Sequence, residues 1–282
     1  MQLHRFDEVS VFLDRAGPFL AAREAEHNLI FGICSMIRAN PALFAQDPPH
    51  FAVVTDDGGA VIATTMRTPP FQLILSQIDD LAAVEILVDG LSGPLPGVLG
   101  PREAAARFAE LWARRNGQPA RLGLRERIFR LTSVIPPRPA EGSWRLAEGR
   151  DRELLMDWID AFRREAVPDD PAPPDRGALA DRWIARSGRL AYLWEDGGRV
   201  VSWVGASGET PQGIRIAPVY TPPELRGHGY ASNLTAAASQ DQLNRGRQLC
   251  FLFTDLANPT SNKIYRAVGY EPVVDVDQYR FG

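Results

Sequence analysis

Cysteine is nearly absent from this chain of 282 residues, with Cys34 and Cys250 the only two. Two thiols build no disulfide framework, and no cluster of cysteines and histidines has the spacing of a metal site, so no metal is expected. Cys250 lies inside the apolar run of residues 249–253, the setting of a buried structural thiol. Lysine is rarer still. Of 31 lysine plus arginine residues only Lys263 is lysine, which reads as a coding preference, and the net charge is −4. Acidic and basic residues are interspersed without a basic run, which argues against nucleic acid as a partner. Apolar runs reach only a handful of residues, and residues 1–10 mix His4, Arg5, Asp7 and Glu8 with apolar side chains. Neither a membrane span nor a secretory signal is visible, and the expected location is cytoplasmic.

What is present is ordinary globular material, 45% hydrophobic and 23% charged, long enough for two medium domains. Two stretches share one plan. Residues 51–66 carry apolar runs on either side of Asp56-Asp57-Gly58-Gly59, and residues 190–206 do so around Glu195-Asp196-Gly197-Gly198. Both predict β-hairpins, because Asp-Gly and Gly-Gly supply the positive φ of tight turns. Downstream, Gly100-Pro101 opens a helix through Arg115 and residues 122–134 close as a strand; Asn258-Pro259 opens a shorter helix and residues 273–281 close likewise. Helical material precedes each hairpin: residues 6–38, with a break expected at Gly17-Pro18, and residues 151–164 followed by 176–186. An internal duplication explains this order. Residues 136–142, rich in proline, read as a stiff linker, giving expected domains 1–137 and 138–282 in an α/β layer fold.

The chemistry gathers in the second half. Residues 214–221 alternate like a strand but contain Pro218 and run into Pro222-Pro223. Proline donates nothing to a ladder, so this strand should be bulged or unpaired on one side. Arg226-Gly227-His228-Gly229-Tyr230-Ala231 follows, two glycines ahead of a helix that Gly246 ends. Such a segment turns successive N–H groups toward one point at a helix N-terminus, an anion cradle. It lacks the Gly-Lys-Ser/Thr of a Walker loop and the full Gly-x-Gly-x-x-Gly of a dinucleotide fold. Residues 249–254 then predict a buried parallel strand. The helix after Asn258-Pro259 places Asn258 and Tyr265 seven residues apart on one face, with Ile264 and Val268 as the pair for the core, so Tyr265 is expected at a cleft.

Together, Val219-x-x-Pro222-x-x-x-Arg226-Gly227-x-Gly229-x-Ala231 and Asn258-Pro259-x-Ser261-x-x-x-Tyr265-x-x-x-Gly269-Tyr270 resemble the core of GNAT acetyltransferases over about 70 C-terminal residues. The resemblance implies two GNAT-like mixed-sheet domains in tandem, the second carrying the acyl-CoA site. It implies that backbone groups of Val219, Tyr220 and Thr221 bind the pantetheine arm, and that Arg226, Gly227, His228, Gly229, Tyr230 and Ala231 hold the pyrophosphate. Asn258 and Ser261 would contact the CoA arm, and Tyr265 would protonate the departing thiolate. Acetyl-CoA would be the cosubstrate and a small-molecule amine the acceptor, attacking the thioester directly. The first half departs from the pattern. Residues 75–91 hold no such loop and carry Asp79-Asp80, Gly100 stands where Asn258 stands, and Arg107 falls opposite Tyr265. It reads as a degenerate copy.

Residues 165–175 hold four carboxylates among prolines, either a solvated loop or the border of an acceptor site that attracts a cationic amine. Candidates for a general base are Glu165, Asp169, Asp170, Glu209, Glu224 and Asp255, or a water chain. Trp183, Trp194 and Trp203 are either core or pocket lining. A transferase of another acyl donor and a non-enzymatic acyl-CoA-binding module remain the alternatives.

Overall fold

The computed structural model describes residues 1–44 and 46–282. In chain order its elements are β1 (Gln2–Phe6), α1 (Val9–Ala21), α2 (Asn28–Ala39), β2 (His50–Thr55), β3 (Val61–Arg67), β4 (Leu73–Leu75), α3 (Ala82–Gly90), β5 (Gly97–Pro101), α4 (Arg102–Asn116) and β6 (Ala120–Leu131). There follow β7 (Ser143–Leu146), α5 (Arg152–Ala166), α6 (Arg176–Ile184), β8 (Arg189–Asp196), β9 (Arg199–Glu209), β10 (Gly213–Tyr220), α7 (Tyr230–Asn244), β11 (Leu249–Asp255), α8 (Pro259–Val268) and β12 (Glu271–Phe281). The chain divides into two compact units that are not contiguous in sequence. One comprises Met1–Ile128, Thr254–Asn258 and Pro272–Gly282; the other comprises Phe129–Phe253 and Pro259–Glu271.

In the first unit the strands run β1-β2-β3-β4-β5-β12-β6. The β2-β3 hairpin forms around Asp56–Gly59 as its turn residues predict, with Asp56 accepting from the Ala60 N–H at 2.8 Å. β4 and β5 are parallel, Leu73 opposite Val98. The chain's last strand completes this unit by pairing antiparallel with β5, Val276 opposite Pro101. Asp275 on that strand takes Arg127 at 2.5 and 3.0 Å and Arg102 at 2.9 Å, which holds its carboxyl below the usual range. One sheet face packs Phe12, Leu20, Ile30 and Cys34 of α1 and α2; the other packs Val84, Leu87, Phe108 and Trp112 of α3 and α4.

The second unit orders its strands β7-β8-β9-β10-β11, with β10 and β11 parallel. Leu155, Trp158 and Trp183 from α5 and α6 cover one face, and Leu234 and Ala238 of α7 with Tyr265 and Val268 of α8 cover the other. The proline-rich segment expected to be a linker is docked on this unit: Glu141 O accepts the Trp194 indole N–H at 2.7 Å, and Arg138 O accepts from the Asn233 amide at 3.0 Å.

Three sequence expectations fail. α1 continues through Gly17-Pro18, and the break falls instead between Ala21 and Asn28. A proline ring clashes with the Cβ of the preceding residue, and Gly17 has none. β1 and β7 lie where no strand is expected; both are short edge strands whose register is set by a partner, β2 and β8 respectively.

One buried titratable group gives this fold a pH dependence. His27 is 1% exposed, with Nδ1 bonded to Leu20 O at 2.9 Å and Nε2 accepting the Gln77 N–H at 3.0 Å. Burial lowers its pKa, against the smaller opposing effects of the Leu20 carbonyl and Glu26 and in concert with Arg23. The native state therefore holds fewer protons on His27 than the unfolded chain, and stability declines as pH falls below about 6.5. Thermal melts between pH 7.5 and 5 should show this decline, and His27→Gln should flatten it; an equal slope in the variant assigns the dependence elsewhere.

Candidate active site

The site starts from a strand that stops pairing. The parallel register of β10 with β11 runs Gly213↔Leu249, Ile214↔Cys250 and Arg215↔Phe251 and ends there, leaving Ile216 to Tyr220 without a β11 partner. On its other side β10 slips against β9 between Ile216, opposite Ala206, and Val219, opposite Val204. Pro218 lies inside that bulge, where its missing N–H costs no ladder bond. The bulge and the one-sided pairing are those that Pro218 predicts.

Gly205 makes room for the bulge, and sequence reasoning passed over it. A Cβ there would lie 2.5 Å from Ala217 O, 2.7 Å from the Trp183 ring and 2.8 Å from Pro218. At the end of the strand Tyr220 is buried, edge-on to Trp158 at 5.7 Å between centroids, and its carbonyl accepts from the Ser202 hydroxyl at 3.2 Å. Burial and then the Glu165 charge raise its pKa. Thr221 is buried as well, its hydroxyl 2.8 Å from that of Ser202.

The residues expected to form a cradle, Arg226 to Ala231, lie at the start of α7. Gly227 and Gly229 take φ of +87° and +82°, and Gly229 is the N-cap of α7. A glycine cap carries no side-chain acceptor, so the first-turn N–H groups of a 15-residue helix remain available to an external anion. Arg226 donates through Nε to Thr221 O at 2.9 Å and pairs with Glu165 of α5 at 2.7 Å. His228 is exposed and stacks on Tyr230 at 5.5 Å, and the Tyr230 hydroxyl donates to Asp196 at 2.5 Å. The Glu165 and Asp196 contacts, which fix the two ends of the loop, carry no local sequence signal because both partners are distant in the chain. Ala231 is half-buried in the first turn of α7.

Ser261 and Tyr265 lie one turn apart on α8, the first half-buried and the second 7% exposed. Asn258 directly precedes α8 in the segment that groups with the first unit, and its N–H donates to Asp255 O at 3.0 Å. The expected division of α8 into a core side with Ile264 and a cleft side with Tyr265 is too narrow. Tyr265 belongs to the same core cluster as Val268 and Tyr270, edge-on to Tyr270 at 6.1 Å. A helix packed on a sheet buries a stripe of 100° or more, which takes in residues 264, 265 and 268 together. Burial pushes the Tyr265 phenol up to about 12.

Of the base candidates, Glu209 is excluded by position. It lies opposite Ile214, at the far end of β10 from Tyr220, and pairs with Arg247. Glu165 is held by Arg226, Glu224 is 3.9 Å from Arg199, and Asp255 accepts the Ala257 N–H at 2.8 Å. Trp183, Trp194 and Trp203 are core residues, the first and third packed edge-on at 5.7 Å.

The corresponding turn of the first unit is built differently. The Asp80 carboxylate accepts the Ala82 N–H at 3.0 Å at the start of α3, and Asp79 forms a two-pronged pair with Arg23 at 2.7 Å. Arg107 is engaged by Glu85 and Glu110.

Gly205→Ala should therefore open the contact between β9 and the bulge. Overpacking costs about 1–3 kcal/mol, more where backbone must move, and a denaturant midpoint unchanged from the parent would show that the bulge tolerates the methyl group.

Residues 152–270 match the acetyltransferase (GNAT) family model. No curated protein matches the chain in sequence. Among solved structures it is similar to a Drosophila protein, with TM-score 0.66 at 15% identity over 99% of this chain and 98% of that one. It is also similar to a GNAT-family acetyltransferase from Colwellia psychrerythraea, with TM-score 0.58 at 9% identity over 100% of both chains. A GCN5-related N-acetyltransferase from Sphaerobacter thermophilus aligns with TM-score 0.57 at 17% identity over 82% of this chain and 79% of that one. Coverage of the whole length by the first two fits two GNAT-like mixed-sheet domains in tandem, and residues 152–270 form the part of the chain that matches the GNAT acetyltransferase family.

Proposed function

We propose that this protein transfers an acetyl group from acetyl-CoA to the amine of a small molecule, using the site of its second unit. The reading rests above all on the end of β10–β11 pairing at Arg215 beside a glycine-capped α7. A strand edge with open N–H and C=O groups suits the amide-rich pantetheine arm, which adds to it as a further strand at Val219, Tyr220 and Thr221. The pyrophosphate then takes the first-turn N–H groups of α7, where the helix dipole favours negative charge.

In the reaction the neutral amine nitrogen attacks the thioester carbonyl carbon, and an N–H group of the splayed strand stabilises the oxyanion. The C–S bond breaks, the sulfur leaves with the electron pair and takes a proton from the Tyr265 hydroxyl, and the positively charged nitrogen releases its surplus proton through water, which restores the phenol. Burial raises the phenol to about 12, which keeps that proton in place at neutral pH. The first unit serves as a degenerate copy, because the carboxylate of Asp80 already occupies the start of α3 and adds charge of the sign that repels phosphate.

Calorimetric titration with CoA tests the cradle. The full chain should bind one equivalent, and Gly229→Glu should abolish binding by placing a carboxylate at the pyrophosphate. A side chain at φ +82° also costs about 1–3 kcal/mol of stability, so circular dichroism must show the variant folded. Two equivalents, or unchanged affinity in the variant, would remove the reading.

Tyr265→Phe should lower kcat by about 10²- to 10⁴-fold with little change in acetyl-CoA affinity. An equal loss of binding and turnover would make Tyr265 a binding residue.

A further inference from the structure

The proline-rich segment that precedes β7 passes the start of α7 and carries an arginine there. The Asn233 side-chain amide, one turn into α7, donates at 3.0 Å both to Gly229 O and to Arg138 O, so one donor group ties the segment's backbone to the cap of the helix. Ala140 packs at the same place, its Cβ 3.7 Å from where a Cβ on Gly229 would lie. We propose that Arg138 is the cation that binds the pyrophosphate of CoA, an assignment that rests on the function proposed above for this cradle.

The charges already at the cradle carry the inference. A helix N-terminus offers only about half an elementary charge, whereas a pyrophosphate bears a negative charge on each phosphate. Arg226, the arginine inside the loop, is engaged elsewhere: it pairs with Glu165 at 2.7 Å and donates to Thr221 O at 2.9 Å. Carboxylates stand close by as well. Asp196 accepts the Tyr230 hydroxyl at 2.5 Å, and that bond, then burial and the charges of Asp196 and Glu141, raise the Tyr230 pKa. With these side chains alone the loop would repel the ligand that its N–H groups suit. The Arg138 side chain is exposed, and among the described residues its guanidinium stands in no ion pair.

The backbone fixes where that charge is held. Pro137 and Pro139 flank Arg138, and a proline locks its own φ and confines the residue before it to extended backbone. The segment is also anchored on both sides of the arginine. Ahead of it the Ile135 N–H donates to Val268 O at 2.8 Å, and beyond it Glu141 O accepts the Trp194 indole N–H at 2.7 Å. Only side-chain torsions of Arg138 then remain to be ordered by a ligand, which lowers the cost of binding. A guanidinium presents its donors in the fork that matches phosphate oxygens. Residues 138–141 precede the 152–270 that match the family model, so this cation lies outside the part of the chain shared with the family.

The test is titration calorimetry of the full chain with CoA and with 3′-dephospho-CoA, which keeps the pyrophosphate, at about 0.1 M ionic strength, where only close charges act strongly. Arg138→Gln should weaken both ligands by the same factor, about 10-fold. It should melt with the parent, because the carbonyl that bonds Asn233 is retained. Arg138→Lys, which keeps the charge, should hold most of the affinity. Equal CoA affinity in the parent and Arg138→Gln overturns the proposal and leaves the cradle reading intact. A loss with CoA that is absent with 3′-dephospho-CoA overturns it by assigning the arginine to the 3′-phosphate, and a loss in Arg138→Lys as large as in Arg138→Gln overturns it by showing that charge is not what acts. A parent that binds no CoA removes the cradle reading and this assignment with it.

Discussion

The separation of β10 from β11 after Arg215 is the constraint on which the open strand edge of the second unit, and the function proposed for it, depend. Two parallel strands joined through a helix would otherwise exchange ladder bonds along their whole length, leaving nothing for a ligand. Pro218 makes continuation unprofitable on the bonded side, and the slip against β9 turns the following residues. The cost of that slip is met by packing. Gly205 lets the bulge sit against β9 without displacing Trp183, and Trp158 and Ser202 hold Tyr220 at the strand's end. Each is a core or backbone contact, yet their joint result is an open strand edge.

The cradle depends on the same economy of side chains. An N-cap of Ser, Thr, Asp or Asn stabilises a helix by answering its N–H groups. Gly229 forgoes that stabilisation, and the N–H groups stay available. In the first unit Asp80 answers one of them, and the helix start is a structural terminus. The Arg226–Glu165 pair has side chains 46% and 49% exposed, a setting in which ion pairs contribute little to stability. Its effect is positional. With the Nε bond to Thr221 O it ties the loop both to the end of β10 and to α5, so that the strand edge and the helix start keep a fixed relation.

Much of this was legible in the residues, and the illegible parts have physical reasons. The hairpins at Asp56–Gly59 and Glu195–Gly198, the parallel strand at Cys250, the bulge at Pro218 and the glycine turn before α7 all follow from local conformational rules, and the structure forms them. Local rules fail where a partner decides. β1 and β7 are strands because β2 and β8 offer them an edge. α1 survives Pro18 because of its neighbour Gly17. β12 lies last in sequence but completes the first unit beside β5, and the chain passes between the two units at four points, a pairing that no local rule announces. Gly205 and Glu165 act through residues 12 and 61 positions away, and nothing in their own neighbourhoods marks them.

The burial of Tyr265 raises a question of proton balance for the proposed reaction. A phenol pushed up to about 12 is a weak acid toward a thiolate whose ordinary pKa is about 8.5, a mismatch of roughly 5 kcal/mol. The protein's own thiols show why this comparison is misplaced. Cys34 and Cys250, buried in apolar surroundings, are both pushed up to about 12. A sulfur that leaves beside Tyr265 develops its charge in the same kind of medium, which raises its proton affinity by the same cause. Desolvation would move donor and acceptor together, so that in the proposed reaction the proton would pass between groups of similar affinity. Under the proposed reaction, the apolar packing of Tyr265 against Tyr270 and Val268 would keep the proton on the phenol until the C–S bond begins to break.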